Sequence, residues 1–173
     1  MKKIAIATVL CFGLPLAAFA QTMGNTGTAL NAQDKTFIQK AADGGLAEVS
    51  DGKLAQSRGN SSVQQIGMRM VTDHGKANDQ LAAISQQLGD PAPTTTDATH
   101  QQMHAALAKL SGSSFDSQYL HDQLLGHEQT ISLFKTEASS GSNPQLKNFA
   151  SATLPTLEMH LSMIKSAMKS TNS

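Results

Sequence analysis

The chain has 173 residues, with 13 Lys and Arg against 13 Asp and Glu, so its formal net charge is zero. This balance provides no bulk electrostatic attraction for nucleic acid or for anionic lipid. Aromatic residues make up only 4% of the chain and tryptophan is absent. A composition rich in Ala, Leu, Met, Gln and Lys favours helices over sheets.

The first twenty residues have the pattern of a secretory signal peptide. Lys2 and Lys3 precede an apolar run over 4–19, which ends on Ala18-Phe19-Ala20. This run is shorter than the roughly 20 residues that a membrane-spanning helix needs. We therefore expect cleavage after Ala20, export to the periplasm and no integral membrane segment in the mature protein.

The only cysteine, Cys11, lies inside the predicted signal peptide (residues 1–20). Its removal would leave a mature chain without disulfides, thiolate ligands or cysteine catalysis. Lys2 and Lys3 would be lost as well, leaving 11 basic against 13 acidic residues.

A flexible lead-in is expected over 21–32, followed by a single helical domain over 33–170. Apolar residues recur there at helical spacing, and turns rich in Gly, Ser and Asn separate the repeats. Four long helices are predicted, over 34–57, 61–88, 115–138 and 144–170, with a short helix over 98–110. Asp34 and Asp97 are the expected N-caps of the first long helix and of the short one. The pattern predicts an all-α, up-down-up-down four-helix bundle, with the short helix between the second and third long helices.

Three of the long helices carry a histidine where the core-facing stripe calls for an apolar residue. The turns after the first and third long helices are taken to lie at one end of the bundle. The rise per residue then places all three histidines within about one helical turn of the same height. Gly44 and Gly45 lie at that height on the first helix, where each costs about 1 kcal/mol relative to Ala, so the site is expected to need the space. The candidate metal-ligating residues and their expected partners are His74, His127, His160, Asp73, Glu48 and Glu128.

Two interpretations of this polar layer stay open. Imidazole and carboxylate groups in a bundle core suit a transition metal ion such as zinc, copper or iron. Alternatively, a buried network of histidines and carboxylates fixes the register of the helices in a structural or stress-related interaction protein. His100 and His104 could also chelate a metal at the surface, although a half-exposed polar face is the favoured interpretation.

The sequence favours a non-enzymatic role, with a metal-dependent oxidoreductase as the least favoured alternative. The Glu-x-x-His pairs of di-iron bundles are missing, as are a nucleophile elbow and a phosphate-binding loop. No complete acid–base or cofactor set is apparent, so catalytic and cofactor-binding residues are not assigned. The protein partner is unknown and homo-oligomerisation is left open.

From Phe37 to about Met168 the sequence resembles the bacterial domain of unknown function 4142 family. Its members are often labelled outer membrane proteins. The resemblance implies a ferritin-like helical bundle in an exported protein, with no assigned activity. The matching segments are 41–49, 69–78, 115–120, His127, 133–134 and 153–161.

Overall fold

The structure is a computed structural model that describes residues 29–171. Within that range the chain forms five α-helices and no β-strand, so the all-α prediction is confirmed. The predicted signal peptide and most of the predicted lead-in lie outside the described residues. The helices are α1 (Ala32–Arg58), α2 (Ser61–Gln87), α3 (Ala98–Leu107), α4 (Gly112–Ser140) and α5 (Pro144–Thr171).

The first helix begins two residues earlier than expected, because Asn31 and not Asp34 is its N-cap. The Oδ1 atom of Asn31 accepts a hydrogen bond from the Asp34 backbone N–H at 2.8 Å. In return, Asp34 Oδ2 accepts from the Asn31 N–H at 2.9 Å. Asp34 is therefore the reciprocal partner of a capping box. The predicted cap Asp97 is confirmed, since its side chain accepts from the His100 backbone N–H. Asn143 caps α5 in the same way, accepting from the Gln145 backbone N–H.

The expected alternation of helix directions is wrong, because α2 and α4 run the same way. In the turn between α1 and α2, the Asn60 amide donates to Asp116 in the first turns of α4, at 2.9 Å. At the opposite end, Ser142 in the turn between α4 and α5 donates its N–H to Asp34 at the start of α1. The segment over 88–111, which contains α3, therefore returns the chain along the length of α1. With this topology, each of α1 and α5 packs against α2 and α4, and every such neighbour is antiparallel.

The apolar core is divided into two clusters. The first cluster surrounds Phe37, Leu81, Phe134 and Leu157, near the start of α1. The second surrounds Met70, Phe115, Leu120 and Ile164, near the end of α1. Each of α2, α4 and α5 contributes to both clusters and carries a histidine between them. The polar layer predicted from the sequence therefore lies between two apolar half-cores.

The helices α1 and α2 pack closely against each other at a pair of glycines. A Cβ atom on Gly67 would lie 2.6 Å from the carbonyl oxygen of Gly52, and one on Gly52 would lie 3.0 Å from that of Gly67. Side chains at either position would push the backbones apart. In the described part of the chain, no helix combines the length and apolarity needed to cross a membrane.

Candidate metal centre

His74, His127 and His160 converge in the middle of the protein. One ring nitrogen from each lies within 4.8 Å of the other two, and the ring centroids are 5.3 to 5.5 Å apart. Atoms separated by no more than 4.8 Å all lie within about 2.8 Å of one common point, which approaches the 2.0–2.1 Å of a zinc–imidazole bond. All three side chains are buried.

Hydrogen bonds from outside the cluster determine which nitrogen of His127 and His160 carries the proton. His127 Nδ1 lies 3.0 Å from the backbone carbonyl oxygen of Gln123, and His160 Nε2 lies 3.0 Å from Asp73 Oδ2. A carbonyl or carboxylate oxygen can only accept, so both nitrogens are donors. In the neutral rings, the other nitrogen of each then carries a lone pair.

Those two lone pairs face each other. His127 Nε2 and His160 Nδ1 are 3.4 Å apart, but neither nitrogen has a hydrogen to donate when both rings are neutral. A hydrogen bond therefore does not explain their proximity. Two imidazole ligands of one tetrahedral zinc ion have nitrogens separated by about 3.3 Å, from the bond length and the tetrahedral angle. The observed spacing fits a shared cation.

Burial and neighbouring charged groups keep the three imidazole rings uncharged near pH 7. Burial lowers the pKa of His127 to about 4, with a further contribution from His160. Burial, followed by the influence of His127 and His160, holds the pKa of His74 well below its ordinary value. Burial also lowers the pKa of His160, against the opposing effect of Asp73. Neutral imidazole is the form that binds metal ions.

Glu48 brings a carboxyl group from α1 to the edge of the cluster. Its Oε1 atom lies 3.6 Å from His127 Nδ1 and packs against Gly126 of α4, where a Cβ would be at an ordinary contact distance of 3.4 Å from the same oxygen. Burial raises the pKa of Glu48 to about 8. Because the carboxyl is protonated and His127 is neutral near pH 7, this contact is not an ion pair.

Two buried polar atoms at this layer have no hydrogen-bond partner among the described residues: Glu48 Oε2 and His74 Nε2. A buried polar group without a partner costs about 1–3 kcal/mol. Both atoms belong to residues at the cluster, where a cation would offer them a ligand position, and four further unpartnered atoms belong to other described residues.

The structure brings together five of the six candidate residues. Asp73 contacts His160, and Glu48 lies beside His127. Glu128 does not join them, because its half-exposed side chain points away and pairs with Lys165 at 3.1 Å. Glu128 follows His127 directly on α4, and consecutive positions of a helix are about 100° apart, so the two side chains lie on different faces. The sequence prediction missed Gln123, whose backbone carbonyl orients His127 from one turn earlier on the same helix.

His100 and His104 each pair with a carboxylate from α1. His100 Nδ1 lies 2.8 Å from Asp43 Oδ2, and His104 Nδ1 lies 2.6 Å from Asp51 Oδ1. Asp43, Asp97 and His100 form a second group that could geometrically hold a cation, but Asp97 is already engaged as the N-cap of α3. These pairs attach the returning segment to α1.

The fold and the cluster define an all-helical bundle with three buried imidazoles between two apolar half-cores. Residues 18–167 match the model of the family described as Domain of unknown function (DUF4142), and the chain belongs to that family. The resemblance noted from sequence motifs is thereby confirmed.

A crystal structure of a DUF305 fragment from Deinococcus radiodurans is similar in fold. The TM-score is 0.70 at 13% sequence identity, and the similarity covers 81% of this chain and 97% of that one. At this identity the similarity concerns the fold alone. No curated protein matches the sequence.

Proposed function

We propose that this protein binds a transition metal ion through His74, His127 and His160 and acts in the periplasm as a non-enzymatic metal-binding bundle. The carrying observation is the 3.4 Å approach of His127 Nε2 and His160 Nδ1, two nitrogens that both present lone pairs. A cation placed between them converts an unfavourable contact into two ligand bonds.

The surroundings of the cluster support this proposal. Metal-ligating histidines usually donate their second N–H to a carboxylate or a backbone carbonyl, which orients the ring and sets its tautomer. Asp73 and the Gln123 carbonyl occupy these positions for His160 and His127. Glu48 is the proposed auxiliary carboxylate, since it is buried beside the cluster with an unpartnered oxygen. Imidazole with carboxylate suits zinc, copper or iron.

The proposal also includes export to the periplasm and a ferritin-like architecture. The basic and apolar pattern of residues 1–20 supports a signal peptide cleaved after Ala20. The proposed architecture is a ferritin-like four-helix bundle, in which a single long crossover joins two helical hairpins. The antiparallel contacts of α1 with α2 and of α4 with α5 support it.

A second candidate function follows from the same hydrogen bonds. If a proton, and not a metal ion, lay between His127 and His160, the layer would be a buried network that fixes helix register. Asp73 favours a protonated, positively charged His160, because it raises the pKa of that residue. Burial opposes it more strongly, lowering the pKa of all three histidines.

Metal analysis separates the two functions. The protein should be purified from the periplasm without a histidine tag, analysed for bound elements, stripped with chelator and titrated with zinc, copper and iron. We expect near-stoichiometric binding and a rise in Tm, since a ligand that binds only the folded state stabilises it. Conversion of all three histidines to alanine should abolish both effects. Absence of bound metal together with an unchanged Tm for every ion would favour the network.

A further inference from the structure

A small cavity adjoins the histidine cluster on the side of α1. Its volume is about 20 Å³, and both Glu48 and His74, which carry the unpartnered polar atoms, line it. A cavity of more than about 10–15 Å³ can hold a water-sized group. The cavity is therefore large enough for a very small molecule beside the proposed metal ion.

The glycine pair of α1 accounts for this space. A Cβ atom on Gly45 would lie 2.1 Å from Asn78 Oδ1, so glycine allows the Asn78 carboxamide to lie against the helix. Gly44 also lines the cavity, and a Cβ there would meet nothing within 4 Å. The two glycines therefore have different roles: Gly45 admits a side chain from α2, and Gly44 leaves open space.

The residues that line the cavity limit the size and the charge of a ligand that could bind there. Asn78 and Thr130 provide polar groups that can donate hydrogen bonds, and most of the remaining wall is apolar. No lysine or arginine lines it, so a bulky, multiply charged oxyanion would lack both space and a counter-charge. A singly charged ligand bound to a cation would need no further counter-charge from the wall.

We propose that a small anion of two or three heavy atoms binds the metal ion at an open coordination position, with its outer end in this cavity. The ligand class includes azide, cyanide, superoxide and hydroperoxide. This inference rests on the proposed metal-binding function. Three histidine ligands leave the fourth position of a tetrahedral ion to Glu48 or to an exogenous group that displaces it, and the cavity borders both Glu48 and His74.

Azide binding to the copper(II)-loaded protein tests the proposal. We expect a saturable change in the visible absorption spectrum with azide, and no change with imidazole, a ring too large for the cavity. The Gly44→Leu variant should bind azide at least about tenfold more weakly, because extra methylene groups in a small pocket exclude the ligand. Its affinity for copper should be unchanged. Gly75→Leu is the matched control, because Gly75 is also helical with nothing within 4 Å of its Cβ position but does not line the cavity.

The outcomes distinguish this inference from the proposed function. If the parent protein binds no metal, both fail. If copper binds but azide leaves the spectrum unchanged, or imidazole binds as well as azide does, the metal site stands and the small-anion inference is overturned. Equal azide affinity in parent and Gly44→Leu also overturns it. Far-UV circular dichroism checks folding, and Gly44→Ala replaces the leucine variant if that variant is unfolded.

Discussion

Asp73 on α2 accepts a hydrogen bond from Nε2 of His160 on α5 at 3.0 Å. The carboxylate is largely buried and also lies 3.8 Å from Arg69 Nε. By holding the Nε2 hydrogen, it directs the Nδ1 lone pair of His160 toward His127. Asp73 is therefore expected to act on a metal ion through His160.

The Asp73→Asn variant tests this role. An amide accepts more weakly than a carboxylate and can present its NH₂ group instead, so the preferred tautomer of His160 is lost. Loss of such a partner weakens metal affinity by about 10–100-fold. Competition with a chromophoric chelator measures the change. Asp79→Asn, an exposed change on the same helix, should leave affinity as in the parent; an equal loss in both variants would contradict the assigned role.

The buried carboxyl of Glu48 should make the metal-free protein less stable as pH rises. Its folded-state pKa is raised to about 8 from an ordinary 4.5, so the folded state binds more protons than the unfolded state between these values. The free energy of unfolding must then fall as pH rises through that interval. Glu48→Gln removes this contribution, and its stability relative to the parent should grow with pH.

Urea unfolding at several pH values, in the presence of a chelator, measures that difference. Other titrating groups are common to parent and variant, so they cancel to first approximation in the comparison. The control is Glu158→Gln, because Glu158 is half-exposed and pairs with Lys135 at the surface. Parallel pH profiles for the parent and Glu48→Gln would show that Glu48 titrates normally.

The contact between α1 and α2 predicts opposite effects for two glycine-to-alanine changes on α2. In Gly67→Ala the new methyl group would lie 2.6 Å from a backbone oxygen of α1 and 2.7 Å from Ala55 Cβ. Such overpacking costs about 1–3 kcal/mol. In Gly75→Ala the methyl group meets nothing within 4 Å, so helix propensity should add about 1 kcal/mol. Chemical denaturation measures the free energy of unfolding of both variants. If both were destabilised by the same amount, the close packing of α1 against α2 would be ruled out.

The parallel arrangement of α2 and α4 predicts two distances between spin labels. Labels at Ser61→Cys and Ser113→Cys should be close, because the turn after α1 contacts the start of α4. Labels at Ser61→Cys and Ser139→Cys should be separated by about 40 Å, from the length of α4. Pulsed electron paramagnetic resonance measures both distances. The up-down-up-down order would give the reverse result.

The position of the histidine layer was predictable despite the wrong helix order. His74 stands at the midpoint of α2, and His127 lies one residue beyond the midpoint of α4. A residue at mid-helix has the same height whichever way its helix runs. Reversing α4 therefore left the predicted convergence of His127 with His74 intact, while it changed every contact at the helix ends.

Contacts between helices were not predictable in the same way. The close approach of Gly52 and Gly67, and the pairs that His100 and His104 make with α1, depend on which faces meet and at what offset. A single sequence carries the periodicity of each helix but does not specify its rotation against a neighbour. Glu128 illustrates the limit, since it is adjacent to His127 in sequence yet lies on another face.

Helical periodicity is a local property, so the helices, their apolar stripes and one histidine in the middle of three of them could be predicted from the amino-acid sequence. The fold was needed to show that α3 returns along α1 and that Asp73 and the Gln123 carbonyl orient two of the imidazoles. It was also needed to show that the remaining nitrogens of those two rings face each other at 3.4 Å. Those relationships arise from packing between distant segments, and it is they that turn three separate histidines into a candidate metal centre.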